Sequence, residues 1–479
     1  MYLVMVKPRY FLLIFALLQV CIAFLTDGHS FTHEEAMWHY IGRNWFESGL
    51  TPYAGGADNK SPLIFAVFGL SDLLFGLNYW FPRLLGIACQ TVGICYLYKI
   101  ALKLYTRESA IITVTLYGLA LLWRATGGKY VSFTETYAVT FIIMSVYYYI
   151  TGNKKQYFIS GMMAGIAVGW RLSGLFGITA ILTHALIKKR NAFVPFIGGL
   201  LVGITAIMLL LIATGIDMNE LYVHAFADNF GGGSTTDHAF AWKVENFVNN
   251  FFYSELILFY PAVVAYLLMK KRYSLLTAWL LFEFIGINIL GIYARPHFKQ
   301  LLPALCLISS ISITQLVHVY GVSFRNVMIV TWIVFLPKVT EPLTSLKKLF
   351  IPPPDRSAEL CAPPFARTDE KSEEKLGLWI RANTQPTDKL LVAGYGARVQ
   401  LFAHRLSPTV YFNVTQTARA KARLMQEVNT DKPQMIAVPI FPDYTVHVGE
   451  DLRKFIDTLT QSSYTLKGCM YGYNIYTKK

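Results

Sequence analysis

The chain has 479 residues, of which 54% are hydrophobic and only 15% are charged. This composition is too apolar for a soluble protein of that length and predicts that lipid surrounds most of the chain. The formal net charge of +14 does not predict a nucleic-acid partner, because the lysines and arginines form short clusters between apolar runs instead of one basic stripe.

Apolar runs recur from the N-terminus to about residue 341. A hydrocarbon core of ~30 Å requires roughly 20 apolar residues in a helix. Basic residues ahead of the first run predict a retained first helix with a cytoplasmic N-terminus, in contact with membrane lipids. About eleven transmembrane helices are predicted, near residues 9–26, 82–101, 109–123, 134–150, 156–170, 173–187, 193–213, 253–269, 273–291, 299–318 and 325–341.

The apolar segment 61–77 is predicted not to span, because it is short and carries Asp72. If it crossed, four basic clusters between the later spans would lie outside, against the positive-inside rule. We therefore expect an interfacial or re-entrant helix on the outer face. Gly161, Gly165 and Gly169 repeat every four residues within one span and predict close packing against a neighbouring helix.

The apolar runs stop after Pro342. We predict a transmembrane catalytic domain over 1–341, a proline-rich linker over 342–378 and a soluble extracytoplasmic α/β domain over 379–479, where strand and helix patterns alternate. Both cysteines outside the apolar segments lie in this C-terminal region, so a disulfide between Cys361 and Cys469 is one possibility.

Three acidic residues occupy outer positions suited to catalysis. Glu34 and Glu35 are adjacent at the start of a predicted interfacial helix, and Glu135 begins a span from the outer side. Favourable charge at a helix N-terminus is the simpler explanation of each. Two acids from separate outer loops at one membrane depth are also what a site with a general base and a substrate-orienting acid requires.

Five basic residues are expected at the same outer level. Contact with lipid headgroups explains any one of them. Together, on the face that the positive-inside rule disfavours, they predict a bound phosphate, since lysine and arginine neutralise phosphate oxygens. These residues are Lys60, Arg171, Arg295, His297 and Lys299.

Glu283 lies near the middle of a predicted span and is expected to be buried as a neutral or paired acid, with no assigned role. The sequence has no zinc-like spacing, serine elbow or dinucleotide fingerprint. No cofactor is therefore predicted.

The order of these motifs resembles the GT-C glycosyltransferases, in particular the branch of protein O-mannosyltransferases and aminoarabinose transferases. The resemblance covers about residues 5 to 320 and includes the acidic pair after the first helix. It also includes the Gly-x-x-Pro-Tyr turn at 49–53, the Lys-x-Pro-Leu segment at 60–63, Phe75-Gly76 followed by Arg83, and the His-containing turn before Leu-Pro.

The resemblance implies inverting transfer of a sugar from a polyprenyl-phosphate donor to a lipid, protein or glycan acceptor. The enzyme would lie in the inner (plasma) membrane, and the transfer would take place on its extracytoplasmic face. Glu34 stands where the family usually has aspartate and would be the general base, while Glu35 matches the glutamate of the pair. Glutamate is one methylene longer than aspartate, and this difference leaves open whether Glu34 or Glu35 is the base. Lys60 matches a lysine near the donor phosphate, and Glu135 matches the acid of the second outer loop.

Arg171 stands where the family often has lysine. Related enzymes that transfer whole oligosaccharides use a divalent metal. The glutamates Glu34, Glu35 and Glu135 leave this open here, but we predict that no metal is bound. The alternative functions are a transporter or flippase of lipid-linked sugars and a non-catalytic scaffold. Transport predicts ionisable residues along a path through the bilayer and inverted repeats, whereas Glu283 is the only well-placed deep charge and the sequence has no evident internal repeat.

Overall fold

The computed structural model describes most of the chain, and the predicted linker 342–378 falls mainly outside the described residues. The chain divides into two compact units: residues 1–28, 80–210 and 238–350 form the first, and residues 29–79, 211–237 and 351–479 form the second. The described residues are 8–25, 31–127, 130–227, 240–269, 273–290, 293–339, 361, 370–413, 417–440 and 449–479.

Helices dominate the chain. In order they are α1 (Pro8–Leu25), α2 (His33–Ser48), α3 (Pro62–Phe75), α4 (Trp80–Leu104), α5 (Arg107–Ala120), α6 (Thr134–Thr151), α7 (Lys154–Trp170), α8 (Gly174–Lys188), α9 (Arg190–Ala213), α10 (Met218–Tyr222), α11 (Phe240–Phe252), α12 (Tyr260–Leu268), α13 (Ser274–Leu290), α14 (Leu302–Tyr320), α15 (Phe324–Phe335), α16 (Glu370–Ala382), α17 (Ala397–Ala403), α18 (Ala418–Thr430) and α19 (Glu450–Ser463). Short 3-10 turns cover Arg124–Thr126, Glu255–Phe259, Arg295–Gln300 and Leu336–Lys338, and a π turn covers Val223–Ala227.

The helices coincide with the predicted spans, but the count of eleven membrane crossings is not confirmed. Among the described residues, α4, α9 and α14 are each long and apolar enough to cross alone. Helix α11 and the segment Glu255–Leu268 form a further candidate, bent by 50°. Several of the other helices are too short to cross alone: α5, for example, has 14 residues and rises only about 21 Å.

Helix α3 forms where the interfacial helix was expected. The Ser61 side chain caps its first turn, Pro62 begins it, and Gly76 follows its last residue. Its 14 residues rise about 21 Å, less than a hydrocarbon core of ~30 Å. Its position in the membrane interface stays a prediction.

Glycines set the close helix contacts of the first unit. A Cβ atom on Gly161 would lie 1.9 Å from the Phe196 carbonyl oxygen, and one on Gly165 would lie 2.6 Å from the Leu200 carbonyl oxygen. Both distances are far below any real contact, so the backbones of α7 and α9 touch only because these residues are glycine. The predicted small-residue packing is confirmed for this helix pair.

The second unit contains a four-stranded sheet: β1 (Leu390–Val392), β2 (Met435–Pro439), β3 (Tyr464–Met470) and β4 (Tyr473–Lys478). The strand order is β1-β2-β4-β3, with β1 and β2 parallel and the other two pairs antiparallel. Helices α16 and α17 pack beside it, so the α/β character expected of the C-terminal region is present.

Helix α2 also belongs to the second unit. It packs on α3 where Gly42 meets Gly69, since a Cβ on Gly42 would lie 2.5 Å from the Gly69 nitrogen. The C-terminal residues hold its other side. Arg398 Nε donates to the Phe31 carbonyl at 2.9 Å, and Arg43 Nη2 donates to the Leu401 carbonyl at 3.1 Å. The helix of the acidic pair and the C-terminal α/β fold therefore form one packed body.

Cys361 and Cys469 form a disulfide across a sequence separation of 108 residues. The bond ties the segment ahead of α16 to strand β3. The disulfide predicted as one possibility is thus confirmed.

Candidate functional site

Three segments of the first unit converge on the carboxylate of Glu135. The residue lies in the first turn of α6 and is 2% exposed. Arg171, which directly follows α7, places Nη1 2.8 Å from Glu135 Oε1. His297, in the turn before α14, places Nε2 3.6 Å from the same oxygen. Thr134 Oγ1 donates to the other carboxylate oxygen at 3.1 Å.

The guanidinium of Arg171 is held at two of its three nitrogens. Its Nε donates to Ser173 Oγ at 2.8 Å, and its Nη1 contacts Glu135 and donates to Thr134 Oγ1 at 3.2 Å. Within the described part of the chain, Nη2 makes no hydrogen bond. The side chain is 13% exposed. A guanidinium with two nitrogens fixed and the third available can bind a phosphate oxygen.

Lys299 and Arg295 differ sharply, although both were predicted to bind phosphate. Lys299 is buried, and its Nζ donates to the Tyr130 carbonyl at 2.5 Å and to Thr136 Oγ1 at 3.3 Å. Burial lowers the pKa of Lys299 to about 8, against the opposing effect of Glu135. Arg295 is exposed. Lys299 thus adds positive charge inside the protein, while the side chain of Arg295 is accessible from outside it.

The acidic pair of the second unit separates into two environments. Glu35 forms a capping box: its Oε2 accepts the Thr32 backbone N–H at 2.9 Å, and its own N–H donates to Thr32 Oγ1 at 3.2 Å. Glu34 is half-buried. It contributes, together with desolvation as the larger cause, to the raised pKa of Tyr395, whose ring contacts the His33 ring at 4.8 Å between centroids. Glu35 therefore has a structural task at the helix start.

Lys60 lies in a loop that is fixed from several directions. The Tyr53 hydroxyl donates to the Lys60 carbonyl at 2.7 Å, and Trp38 Nε1 donates to Asp58 Oδ2 at 2.9 Å. The Lys60 ammonium donates to Asn59 Oδ1. Tyr53 has a φ of 72°, a left-handed conformation that is uncommon for a bulky residue and is typical of constrained functional segments.

The segment before residue 228 supports this loop within the second unit. The His224 ring stacks on the Tyr53 ring, with centroids 5.2 Å apart and planes 11° apart. His224 Nε2 lies 3.1 Å from Glu220 Oε2, which also pairs with Arg423 Nη1 at 2.9 Å. The backbone that presents Lys60 is thereby tied to the C-terminal residues.

One buried pair was not predicted from the sequence. His39 Nδ1 of α2 lies 2.8 Å from Asp72 Oδ1 of α3, with side chains 0% and 2% exposed. The residues are 33 positions apart, and neither belongs to a motif. The apolar surroundings of Asp72 were a signal that it needed a partner, but its partner depends on the helix contact at Gly42.

No group of three or more His, Cys, Asp or Glu side chains that could hold a metal occurs among the described residues. The absence of a metal requirement stays a prediction. Chemically, the described residues offer carboxylates suited to acid–base chemistry in the second unit and cations suited to binding an anion in the first.

Part of the sequence matches a known enzyme family. Residues 59–214, about a third of the chain, match the family model of dolichyl-phosphate-mannose-protein mannosyltransferase. None of the curated protein sequences matches the chain significantly.

Solved structures share the fold over nearly the whole chain. ArnT from Cupriavidus metallidurans, bound to undecaprenyl phosphate, superposes with a TM-score of 0.65 at 12% identity and 98% coverage of both chains. AglB from Archaeoglobus fulgidus, an oligosaccharyltransferase, gives 0.55 at 11% identity, covering 98% of this chain and 74% of its own. The mycobacterial arabinofuranosyltransferase AftD gives 0.53 at 13% identity, covering 99% and 40%.

These relatives are all GT-C glycosyltransferases. The chain therefore has the GT-C membrane fold, and the resemblance drawn from its motifs is confirmed. At such low identities, the likeness establishes the fold and leaves the reaction to be argued from the residues.

Proposed function

We propose that this chain is an inverting glycosyltransferase that moves a sugar from a polyprenyl-phosphate donor to an acceptor on the extracytoplasmic face of the plasma membrane. Two comparisons support the donor class. The matched family model is that of a dolichyl-phosphate-mannose transferase, and the ArnT structure of the same fold holds undecaprenyl phosphate. The acceptor is a lipid, protein or glycan hydroxyl.

The geometry of Arg171 is the single observation that carries the proposal. The buried Glu135 holds Nη1 of the guanidinium and Ser173 holds Nε, which leaves Nη2 available, and His297 lies beside the same carboxylate. Cations held in this way stabilise the negative charge that develops on a departing phosphate. We assign Arg171, His297 and Arg295 to the donor phosphate, with Lys299 adding charge from within.

Glu34 is the general base in this proposal. The carboxylate of Glu35 accepts the Thr32 N–H, and proton transfer to it would weaken the helix cap. Glu34 is only half-buried and lies one position earlier in the first turn of α2. The fixed loop around Lys60 would add a further cation for the donor.

The proposed reaction balances without a second catalytic acid. Glu34 removes the proton from the acceptor hydroxyl, whose oxygen attacks the anomeric carbon. The bond from that carbon to the phosphate oxygen breaks, and polyprenyl phosphate leaves with the bonding electrons. A phosphate leaves as an anion stabilised by cations, unlike the sugar leaving group of a glycosidase, which must be protonated.

We also propose that the N-terminus is cytoplasmic, and that residues 379–479 lie outside, linked by 342–378 to the transmembrane domain 1–341. The disulfide between Cys361 and Cys469 supports the outer location, because disulfides persist in oxidising compartments.

The test is a transfer assay with purified full-length protein in lipid nanodiscs. Undecaprenyl-phosphate donors carrying tritiated mannose or aminoarabinose are incubated with a cell-envelope extract as the acceptor pool. We expect Glu34→Gln to lower the transfer rate by about 10² to 10⁴ without weakening donor binding, and Glu35→Gln to act mainly on stability. Glu47→Gln, at the exposed end of the same helix, is the matched control.

A transfer rate that Glu34→Gln leaves unchanged would contradict the assignment of Glu34 as the base. Wild-type protein that transfers neither sugar, yet moves labelled donor across a sealed bilayer, would overturn the enzyme and favour the transporter.

A further inference from the structure

Glu283 is buried within α13, and its two carboxylate oxygens differ in their contacts. The residue is 2% exposed. Trp279 Nε1 donates to Glu283 Oε1 at 3.2 Å, while Oε2 has no hydrogen-bond partner among the described residues. A Cβ atom on Gly177 of α8 would lie 2.8 Å from Oε1, so the absence of a side chain there gives the carboxyl group its space.

The carboxyl group shares a small internal cavity with the amide of Gln300. The free space is about 10 Å³, close to the minimum that one water molecule occupies. The rest of its lining comes from α6, the start of α8 and Trp279. A buried water requires two or more polar partners, and Glu283 and Gln300 are the two side chains that can supply them.

A chain of hydrogen bonds leads from this cavity to the ion pair of Arg171 and Glu135. Gln300 Nε2 donates to Ser173 Oγ. The same hydroxyl oxygen accepts from Arg171 Nε at 2.8 Å, and Arg171 Nη1 lies 2.8 Å from Glu135. Each link restrains the next side chain in one orientation. The buried acid is therefore connected to the guanidinium through only two intervening residues and the space for one water.

We propose that Glu283 is a positioning residue for the donor site. With Gln300 it holds one water, and through Gln300 and Ser173 it sets the orientation in which Arg171 presents Nη2 to the donor phosphate. The inference rests on the proposed function, because it takes donor phosphate to be the ligand of Arg171.

Positioning and simple structural support predict different effects on donor binding. Glu283→Leu removes the acceptor of the buried Trp279 N–H, and a buried donor left without a partner lowers stability. Both interpretations therefore predict some loss of stability, but only positioning predicts that the loss of the water and of the restraint on Gln300 also weakens donor binding. If Glu283 served only to satisfy Trp279, donor binding would not change.

The experiment measures undecaprenyl-phosphate binding and the thermal unfolding midpoint of full-length protein in nanodiscs. We expect Glu283→Leu to raise the dissociation constant about tenfold, together with a lower unfolding midpoint because the Trp279 N–H loses its acceptor. Glu283→Gln keeps the hydrogen-bonding capacity and should stay within about threefold of wild type. Thr277→Val is the control, since this side chain of α13 bonds only to its own helix backbone.

A second comparison tests the route. In an Arg171→Ala background, Glu283→Leu should have no further effect on binding, because the side chain that it positions is gone. Wild-type affinity in Glu283→Leu would overturn the inference and leave the proposed function standing, as would equal losses of midpoint and affinity in the Leu and Gln variants. Failure of the wild type to bind undecaprenyl phosphate would overturn both.

Discussion

Replacing Arg171 by glutamine removes a cation that lies 2.8 Å from the buried carboxylate of Glu135. Two unit charges about 4 Å apart attract by about 4 kcal/mol at an effective dielectric of ~20, and breaking a buried pair typically costs about 3–5 kcal/mol. Arg171 is 13% exposed, and His297 stays 3.6 Å from the carboxylate. Both features reduce the penalty. We expect Arg171→Gln to lower the free energy of unfolding by about 2 kcal/mol.

Adding Glu135→Gln should restore part of the stability but not function. The neutral amide removes the buried charge that has lost its Arg171 partner, so the double variant should recover part of the loss. It still lacks Nη2 of Arg171. A hydrogen bond to a charged group contributes about 1.5–3 kcal/mol, so undecaprenyl phosphate should bind roughly tenfold to a hundredfold more weakly in the single and the double variant alike.

Two measurements separate the structural role of the Arg171–Glu135 pair from its role in binding the donor. Unfolding midpoints in detergent report the ion pair, and labelled undecaprenyl phosphate in nanodiscs reports the ligand site. Arg325→Gln, an exposed arginine of α15, is the control for loss of a positive charge. Wild-type lipid affinity in Arg171→Gln would refute the role of Arg171, and additive instability in the double variant would refute the pairing.

Two other predictions concern stability. The folded pKa of Lys299, about 8, lies below the unfolded value of about 10.4, so the unfolded state binds more protons between these values. Wild-type stability should therefore rise by about 3 kcal/mol from pH 8 to pH 10.5 relative to Lys299→Met; equal slopes in denaturation curves would contradict this. Cys469→Ser should cost about 2–4 kcal/mol, and reductant should lower the unfolding midpoint of the wild type and not of this variant. Cys21→Ala is the control.

Local signals account for the parts of the fold that the sequence predicted. The start of α3 is indicated by Ser61 and Pro62, and its end by Gly76, because caps and breakers act within one turn. The pattern of the last residues predicts strand β4, but strand β3 and its hairpin with β4 were missed, although the hairpin carries a local signal. Its two turn residues, Tyr471 and Gly472, both have positive φ, as a type I′ turn requires, but tyrosine is not the residue that usually marks such a turn.

The site was predictable in its residue types and not in its pairings. Thr32 and Glu35 have the spacing of a capping box, and this local signal is strong enough by itself to distinguish Glu35 from Glu34. The contact between Glu135 and Arg171 joins residues 36 positions apart and depends on how α6 and α7 pack. No local sequence pattern indicates how these two helices pack.

Packing also gives the C-terminal residues a role that their sequence pattern does not indicate. Their sequence pattern predicts a separate module after a linker, yet they belong to the compact unit that contains α2. The Tyr40 hydroxyl accepts the Ser407 N–H at 2.9 Å, and the Ala57 N–H donates to the Val410 carbonyl at 2.8 Å. Burial also lowers the pKa of Arg43, whose hydrogen bond to the Leu401 carbonyl offsets that desolvation. Helix α2 therefore depends on these residues for buried polar contacts, and the position of Glu34 depends on them in turn.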